Sequence, residues 1–133
     1  MRAPRIDKSA LPIGVTQRRR SRTPGMSQKH LDWLKTLPSI VSGIEPCGDA
    51  HHLLGNLDGL PKGMGRTNKD KDAVPVTRAE HEAAHASGDD EKHFRDMGLD
   101  ARAIAAALWR VSGDTAAGMR IIHRARLAAG LIR

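Results

Sequence analysis

The chain has 133 residues and a mass of 14.4 kDa, enough for one small domain and a tail but not for an enzyme with separate cofactor and substrate lobes. Hydrophobic residues make up 39%, and Trp33, Phe94 and Trp109 are the sole large aromatics, so the core must be small; the one cysteine, Cys47, excludes an internal disulfide and any multi-cysteine zinc site. The net charge of +7 is concentrated, because residues 1–29 carry eight bases against one acid while residues 30–133 carry 14 of each, and such a basic segment suits a polyphosphate partner.

In chain order, residues 1–26 form a basic flexible arm, with Pro4, Pro12, Pro24, Gly14, Gly25 and the run Arg18-Arg19-Arg20. A helix is predicted over 27–37, with Ser27 as N-cap, Leu31, Trp33 and Leu34 on its apolar side and Pro38 as its stop. Residues 40–44 and 50–54 are short and apolar enough for strands. Gly55 to Asp72 is a glycine-rich basic loop carrying Lys62, Arg66, Lys69 and Lys71. Residues 73–76 form a second strand, which Pro75 confines to an edge or to a position needing no N–H. Thr77-Arg78-Ala79-Glu80 is a capping box opening a helix to about 86, and Gly88 ends it. Asp89-Asp90-Glu91 puts acids on the first turn of the next helix, which Gly98 closes. Asp100 to Ser112 and Thr115 to Ala129 form a helical hairpin broken at Gly113-Asp114, with Ala103, Ile104, Ala107, Leu108 and Val111 sharing a face. No apolar run approaches membrane-spanning length, and no hydrophobic segment follows the basic N-terminus as a secretory signal requires. A cytoplasmic protein without a membrane partner is expected.

The chemistry lies in the histidines. His81-Glu82-Ala83-Ala84-His85 puts two imidazoles at i and i+4 on one face of the capped helix, a spacing that lets them share a metal ion. His51 and His52 sit next to each other on a predicted strand, where adjacent side chains point to opposite faces, so one can join the metal while the other meets a different target. A strand, a loop, a second strand and a helix with this spacing make a ββα-metal arrangement. Lone histidines at 30, 93 and 123 read as structural or solvated, with His93 packing on the core, and Cys47 reads as a small buried residue.

These segments, Ala50-His51-His52-Leu53, Gly65-Arg66 and Val74-Pro75-Val76-Thr77-Arg78-Ala79-Glu80-His81 with His85, resemble the HNH endonucleases. The likeness is closest to a bacteriophage group that includes the recombination-enhancement nucleases. It continues through Gly88-Asp89-Asp90-Glu91, Phe94, Gly98-Leu99-Asp100 and Leu108-Trp109, and reaches back to residues 37–43, covering residues 30–112 in all. The resemblance implies an α+β fold, mostly helical, with a ββα-metal core over 27–99 and the hairpin 100–133 packed on it. It implies a metal-dependent DNA endonuclease, encoded by a phage or prophage in a bacterial host, acting in DNA recombination or processing, with a recombination or phage protein as a further partner. His51, His81 and His85 become the metal ligands and His52 the general base. The position of the HNH asparagine, which orients the base, falls on Asp72 when counted back from His81, with Asp70 as the alternative. Arg66 is assigned to the scissile or a flanking phosphate, and Lys62, Arg66, Lys69, Lys71, Arg18, Arg19 and Arg20 to the DNA backbone.

Relatives in that group usually carry a Cys-Xaa-Xaa-Cys knuckle where this chain has Ser39-Ile40-Val41-Ser42, and a cysteine and histidine where it has Thr77 and Glu80. One divalent ion and no structural zinc is therefore expected: magnesium or manganese in function, with zinc, nickel or cobalt also suited to three imidazoles. The alternative is a non-catalytic, metal-stabilised DNA-binding protein derived from the same fold.

Overall fold

The structure is a computed structural model, and it describes residues 25–54 and 69–132. Its elements are α1 (Gln28–Leu34), β1 (Asp49–His52), a 3-10 turn (Asp70–Asp72), β2 (Ala73–Val76), α2 (Arg78–Ala86), α3 (Asp90–Arg95), α4 (Ala101–Arg110) and α5 (Thr115–Ala128). The fold is mixed α+β: a two-stranded antiparallel sheet and, among the described residues, five α-helices. None of those helices is long and apolar enough to cross a membrane. Arg18, Arg19, Arg20, Lys62 and Arg66 lie outside the described residues.

The strands pair with His51 opposite Val74 and Ala50 opposite Pro75. Pro75 turns its carbonyl outward, where it accepts the Ile40 N–H at 3.0 Å. Since N and C=O of a strand residue point to the same side, the N–H that proline lacks falls on the outer edge, where the sheet does not need it. All four β2 residues are buried. Leu34, Leu37, Ile40, Val74, Val76, Phe94, Leu99, Leu108 and Ile122 are almost fully buried in one cluster, so the hairpin α4–α5 shares its core with the sheet. Gly118 makes this packing possible: a Cβ there would come within 2.9 Å of the Trp33 ring, so only glycine lets α5 approach α1 so closely.

Several expectations need correction. Residues 40–44 are not a strand. The Ser39 hydroxyl accepts the N–H groups of Val41 and Ser42, and Gly43 N–H returns to Ser39 O, so a serine-capped turn outcompetes extended chain. The first helix stops at Leu34 and finishes in tighter bonds from Thr36 to Trp33 and Leu37 to Leu34. The buried stripe of α4 is Ala101, Ile104, Ala105 and Leu108, and Ala103 is exposed. A run with alanine at 101, 103, 105, 106 and 107 leaves the stripe's centre undetermined by periodicity, and the cap at Asp100 with the Glu91–Arg102 pair sets it.

The predicted capping box is present: Thr77 Oγ1 accepts the Glu80 N–H and Glu80 Oε1 accepts the Thr77 N–H. Glu80 also takes the Ser39 hydroxyl, so this carboxylate ties the start of α2 to the turn after α1. Burial works to raise the Glu80 carboxyl, but bonds from Ser39, Thr77 and Ser42 outweigh it and hold the group below the ordinary glutamate range. Two outcomes are expected in urea denaturation. Thr77→Ala should cost about 1 kcal/mol, the usual loss for an N-cap hydroxyl. A depressed carboxylate contributes fully above its ordinary pKa of 4.5 and loses that contribution as pH falls through the lower folded-state value. Glu80→Gln should therefore flatten the acid limb of the stability profile while changing neutral stability less than Glu80→Ala.

Candidate metal centre

β1 and α2 carry the three histidines that the spacing singled out, and the fold brings them together. The ligand nitrogens of His51, His81 and His85 all lie within 4.8 Å of one another. His81 Nε2 and His85 Nε2 are 3.0 Å apart, and the two rings stack at 4.8 Å between centroids. His51 meets both edge-on, at 4.7 and 5.1 Å. The helix supplies the first pair through its i, i+4 spacing, and the strand supplies His51 from below.

Each nitrogen's state follows from its neighbour. His51 Nε2 donates to Asp90 Oδ2 at 2.8 Å, since an ionised carboxylate can only accept. Its Nδ1 is then a lone-pair nitrogen, buried and without a hydrogen-bond partner. His81 Nδ1 donates to Asp49 Oδ2 at 2.8 Å, which leaves Nε2 as the lone pair on the cluster side. A histidine with a carboxylate behind it and a bare nitrogen in front is the usual arrangement of a metal ligand. The orphaned Nδ1 of His51 is the strongest sign that the set fits an ion, because an unpaired buried acceptor costs on the order of 1–3 kcal/mol. Two nitrogens bound to one zinc ion at about 2.0–2.1 Å can be no more than about 4.2 Å apart, so a small side-chain adjustment would suffice.

The supporting carboxylates are firmly ionised. Burial pushes the Asp90 carboxyl up, but the bonds from His51 and from Leu54 N–H, at 2.8 Å, override it and hold it below the ordinary range. Asp49 is also lowered against its burial, by His81, Ala50 N–H and Arg78. The sequence reading treated Asp90 only as an acid on a helix first turn and assigned nothing to Asp49. Both are partners of the clustered histidines, and neither carried a signal beyond lying on or next to a histidine-bearing element.

His52 points away from this cluster. Its Nε2 donates to Asp70 Oδ1 at 2.9 Å, and its side chain keeps 31% exposure while Asp70 keeps 1%. The other oxygen of Asp70 accepts the Ser27 N–H at 2.7 Å. Asp72, the first choice for orienting the base, does not do so. Its carboxylate faces Arg102 Nη1 and Lys71 Nζ, each at 3.4 Å, while Arg102 forms a two-point bond with Glu91. The 3-10 turn is the reason: with about three residues per turn, positions 70 and 72 face different ways, and counting back along an extended chain picks the wrong one. Of the expected DNA contacts, Lys69 and Lys71 flank Asp70 on this turn.

The remaining histidines have other surroundings. His30 is buried between Trp33 and Trp109, with Nδ1 2.6 Å from Ser112 Oγ, and burial pushes its pKa down to about 4. His93 sets its ring edge against Phe94 at 5.6 Å. His123 is exposed. Cys47 is buried, and burial raises its thiol. No family model matches this chain, and no curated protein or solved structure matches it either.

A cobalt(II) or zinc(II) titration, followed by absorption or calorimetry, tests the centre. His81→Ala and His85→Ala should each remove tight binding. Asp90→Asn should weaken it by about 10–100-fold, the usual cost of losing a carboxylate behind a ligand. Undiminished binding in the double variant His81→Ala/His85→Ala would move the ion elsewhere.

Proposed function

We propose that this chain is a metal-dependent DNA endonuclease of the HNH class, hydrolysing phosphodiester bonds with a histidine base beside a single divalent ion. The observation that carries the reading is the division of labour across β1. His51 turns inward to the three-histidine cluster with Asp90 behind it, and His52 turns outward, half-exposed, with Asp70 behind it. A ligand set and an oriented free imidazole on adjacent residues are what hydrolysis beside an ion requires.

His52 gives its Nε2 proton to the bond with Asp70, which fixes the tautomer and leaves Nδ1 as the base. Nδ1 takes a proton from the water that attacks phosphorus in line, and the buried Asp70 carboxylate faces the imidazolium that results. The ion, held by His51, His81 and His85, would supply positive charge to the non-bridging and leaving oxygens of the phosphate. Three neutral imidazoles suit zinc, nickel or cobalt, whereas magnesium or manganese would add water and phosphate oxygens. The products follow the resemblance: a 5′-phosphate and a 3′-hydroxyl. Arg66, Lys62, Lys69, Lys71 and the arm with Arg18, Arg19 and Arg20 supply the electrostatic attraction. A place in phage or prophage DNA recombination or processing rests on the resemblance alone.

A non-catalytic, metal-stabilised DNA-binding protein is the second reading. The complete burial of His51 favours it, since a closed site suits an ion with a structural task. It leaves the Asp70–His52 pair without a task.

Metal-dependent cleavage of plasmid and single-stranded DNA separates the two. His52→Ala should keep the ion and DNA binding and lose about 10²–10⁴ in rate. His85→Ala should lose activity through metal affinity and recover part of it in excess metal. Cleavage by His52→Ala at the wild-type rate would remove the base from the mechanism, and no cleavage by the wild type with any divalent ion would favour the binding protein.

A further inference from the structure

The charge balance of residues 30–133 hides a division. Residues 101–133 hold six arginines against one acid, Asp114, and residues 30–100 hold thirteen acids against eight bases. The hairpin is therefore +5 and the histidine-bearing part −5. Asp114 is already engaged as the N-cap of α5, accepting the Ala117 N–H, so no acid stands among residues 115–132.

The arginines of the hairpin differ in what they do. Arg102 is held by Glu91 and Asp72. Arg126 donates Nε–H to Val41 O and lays its guanidinium on Gly43, where a Cβ would collide with it. Arg120 and Arg124 have neither kind of partner among the described residues, and both are exposed. They stand four apart on α5, one turn above the other, with exposed His123 beside them, on the side opposite buried Gly118 and Ile122.

Two exposed bases on other helices are arranged differently, while Lys29, Arg95 and Arg110 are exposed with no ion pair among the described residues. On α2, Arg78 pairs with Glu82 at 3.3 Å, and on α3, Lys92 pairs with Asp96 at 3.0 Å; each base has an acid four residues on. On α5 the same spacing sets base against base. Like charges at i, i+4 destabilise a helix by about 0.2–0.5 kcal/mol, so this pair works against the helix that carries it. Arg120 also lies too far from the C-terminus to gain from the helix dipole.

We infer that the outer face of α5, through Arg120 and Arg124 with His123 beside them, is a second contact with the phosphate backbone of duplex DNA, separate from the arm and the loop before β2. The inference rests on the nuclease reading for its choice of polyanion. The occupant follows from charge: two guanidiniums about 5–6 Å apart at Cβ, with no competing acid, match a polymer with a negative charge every 1.7 Å of its axis. Guanidinium forks also fit phosphate oxygens better than ammonium groups do. Because the histidine-bearing part is acidic overall, a basic hairpin that shares its hydrophobic core would offset repulsion that otherwise keeps DNA from the site.

The test is equilibrium binding of the full chain to a labelled duplex of arbitrary sequence across a salt series, by fluorescence anisotropy, with probe integrity checked on a denaturing gel. Each phosphate contact contributes about 0.9 to the slope of log K against log salt, so Arg120→Gln/Arg124→Gln should lower the slope by about 1.8 and weaken binding at low salt about tenfold or more. Arg120→Lys/Arg124→Lys should keep the slope. The Gln variant should melt at or above the wild-type temperature, because a like-charge pair has gone. An unchanged slope and affinity in the Gln variant, beside a wild type that binds and cleaves, would overturn this inference alone, leaving the face to an acidic protein or a second copy of the chain. A lower melting temperature with unchanged DNA binding would make the arginines structural and also overturn it. A wild type that neither binds nor cleaves duplex DNA would sink the nuclease reading and this contact with it.

Discussion

A histidine ring with no access to solvent has two nitrogens to satisfy, and His51 has satisfied one. Its bond to Asp90 joins β1 to α3 and fixes which nitrogen carries the proton. Asp90 is itself buried, and the His51 and Leu54 donors hold its carboxyl below the ordinary range against that burial. The remaining nitrogen faces the two imidazoles of α2 with nothing to pair to. The fold thus leaves a buried acceptor unpaired beside the His81 and His85 nitrogens, which pair with each other at 3.0 Å. Phe94, fully buried, packs against the His51 ring at 5.9 Å between centroids.

The rest of the site repeats one device. Three histidines each have a carboxylate behind them: Asp90 behind His51, Asp70 behind His52 and Asp49 behind His81. All three acids come from outside the histidine's own helix or turn, so each pair is also a tie between elements. Alternation along β1 then separates the products of the device. One pair presents a nitrogen to the cluster, and the next presents a nitrogen to the opposite side. Two chemical roles can therefore stand on adjacent residues without sharing an environment.

Much of this was legible in the sequence where short-range rules decide. The i, i+4 histidines, the Thr77–Glu80 capping box and the break of the hairpin at Gly113-Asp114 depend on contacts within one turn, and they stand where the residues put them. What was not legible depends on contacts far apart in the chain. Asp90 looks like an ordinary acid on a helix first turn until α3 packs against β1. Asp70 and Asp72 are equivalent in a string of letters, and only the 3-10 turn and the Arg102 guanidinium sort them. The apolar run at 40–44 met its strand-like description, yet a single hydroxyl at Ser39 bent it into a turn. The alanine-rich α4 shows the limit of periodicity, since small side chains mark no face strongly.

The bond from Ser27 N–H to Asp70 also ties the residues just before α1 to the turn before β2. Gly25 O accepts the Lys71 N–H at 3.0 Å, and Ser27 serves both as cap of α1 and as donor to the carboxylate behind His52. The root of the arm is thereby stitched to the turn that aims the outward histidine. A protease that nicks the chain before residue 25 leaves this stitch whole, whereas one that trims past Ser27 withdraws an N–H from Asp70 and loosens a side chain more than forty positions away. Fusion partners and affinity handles are for the same reason best joined upstream of Gly25, so that the junction does not become part of the site.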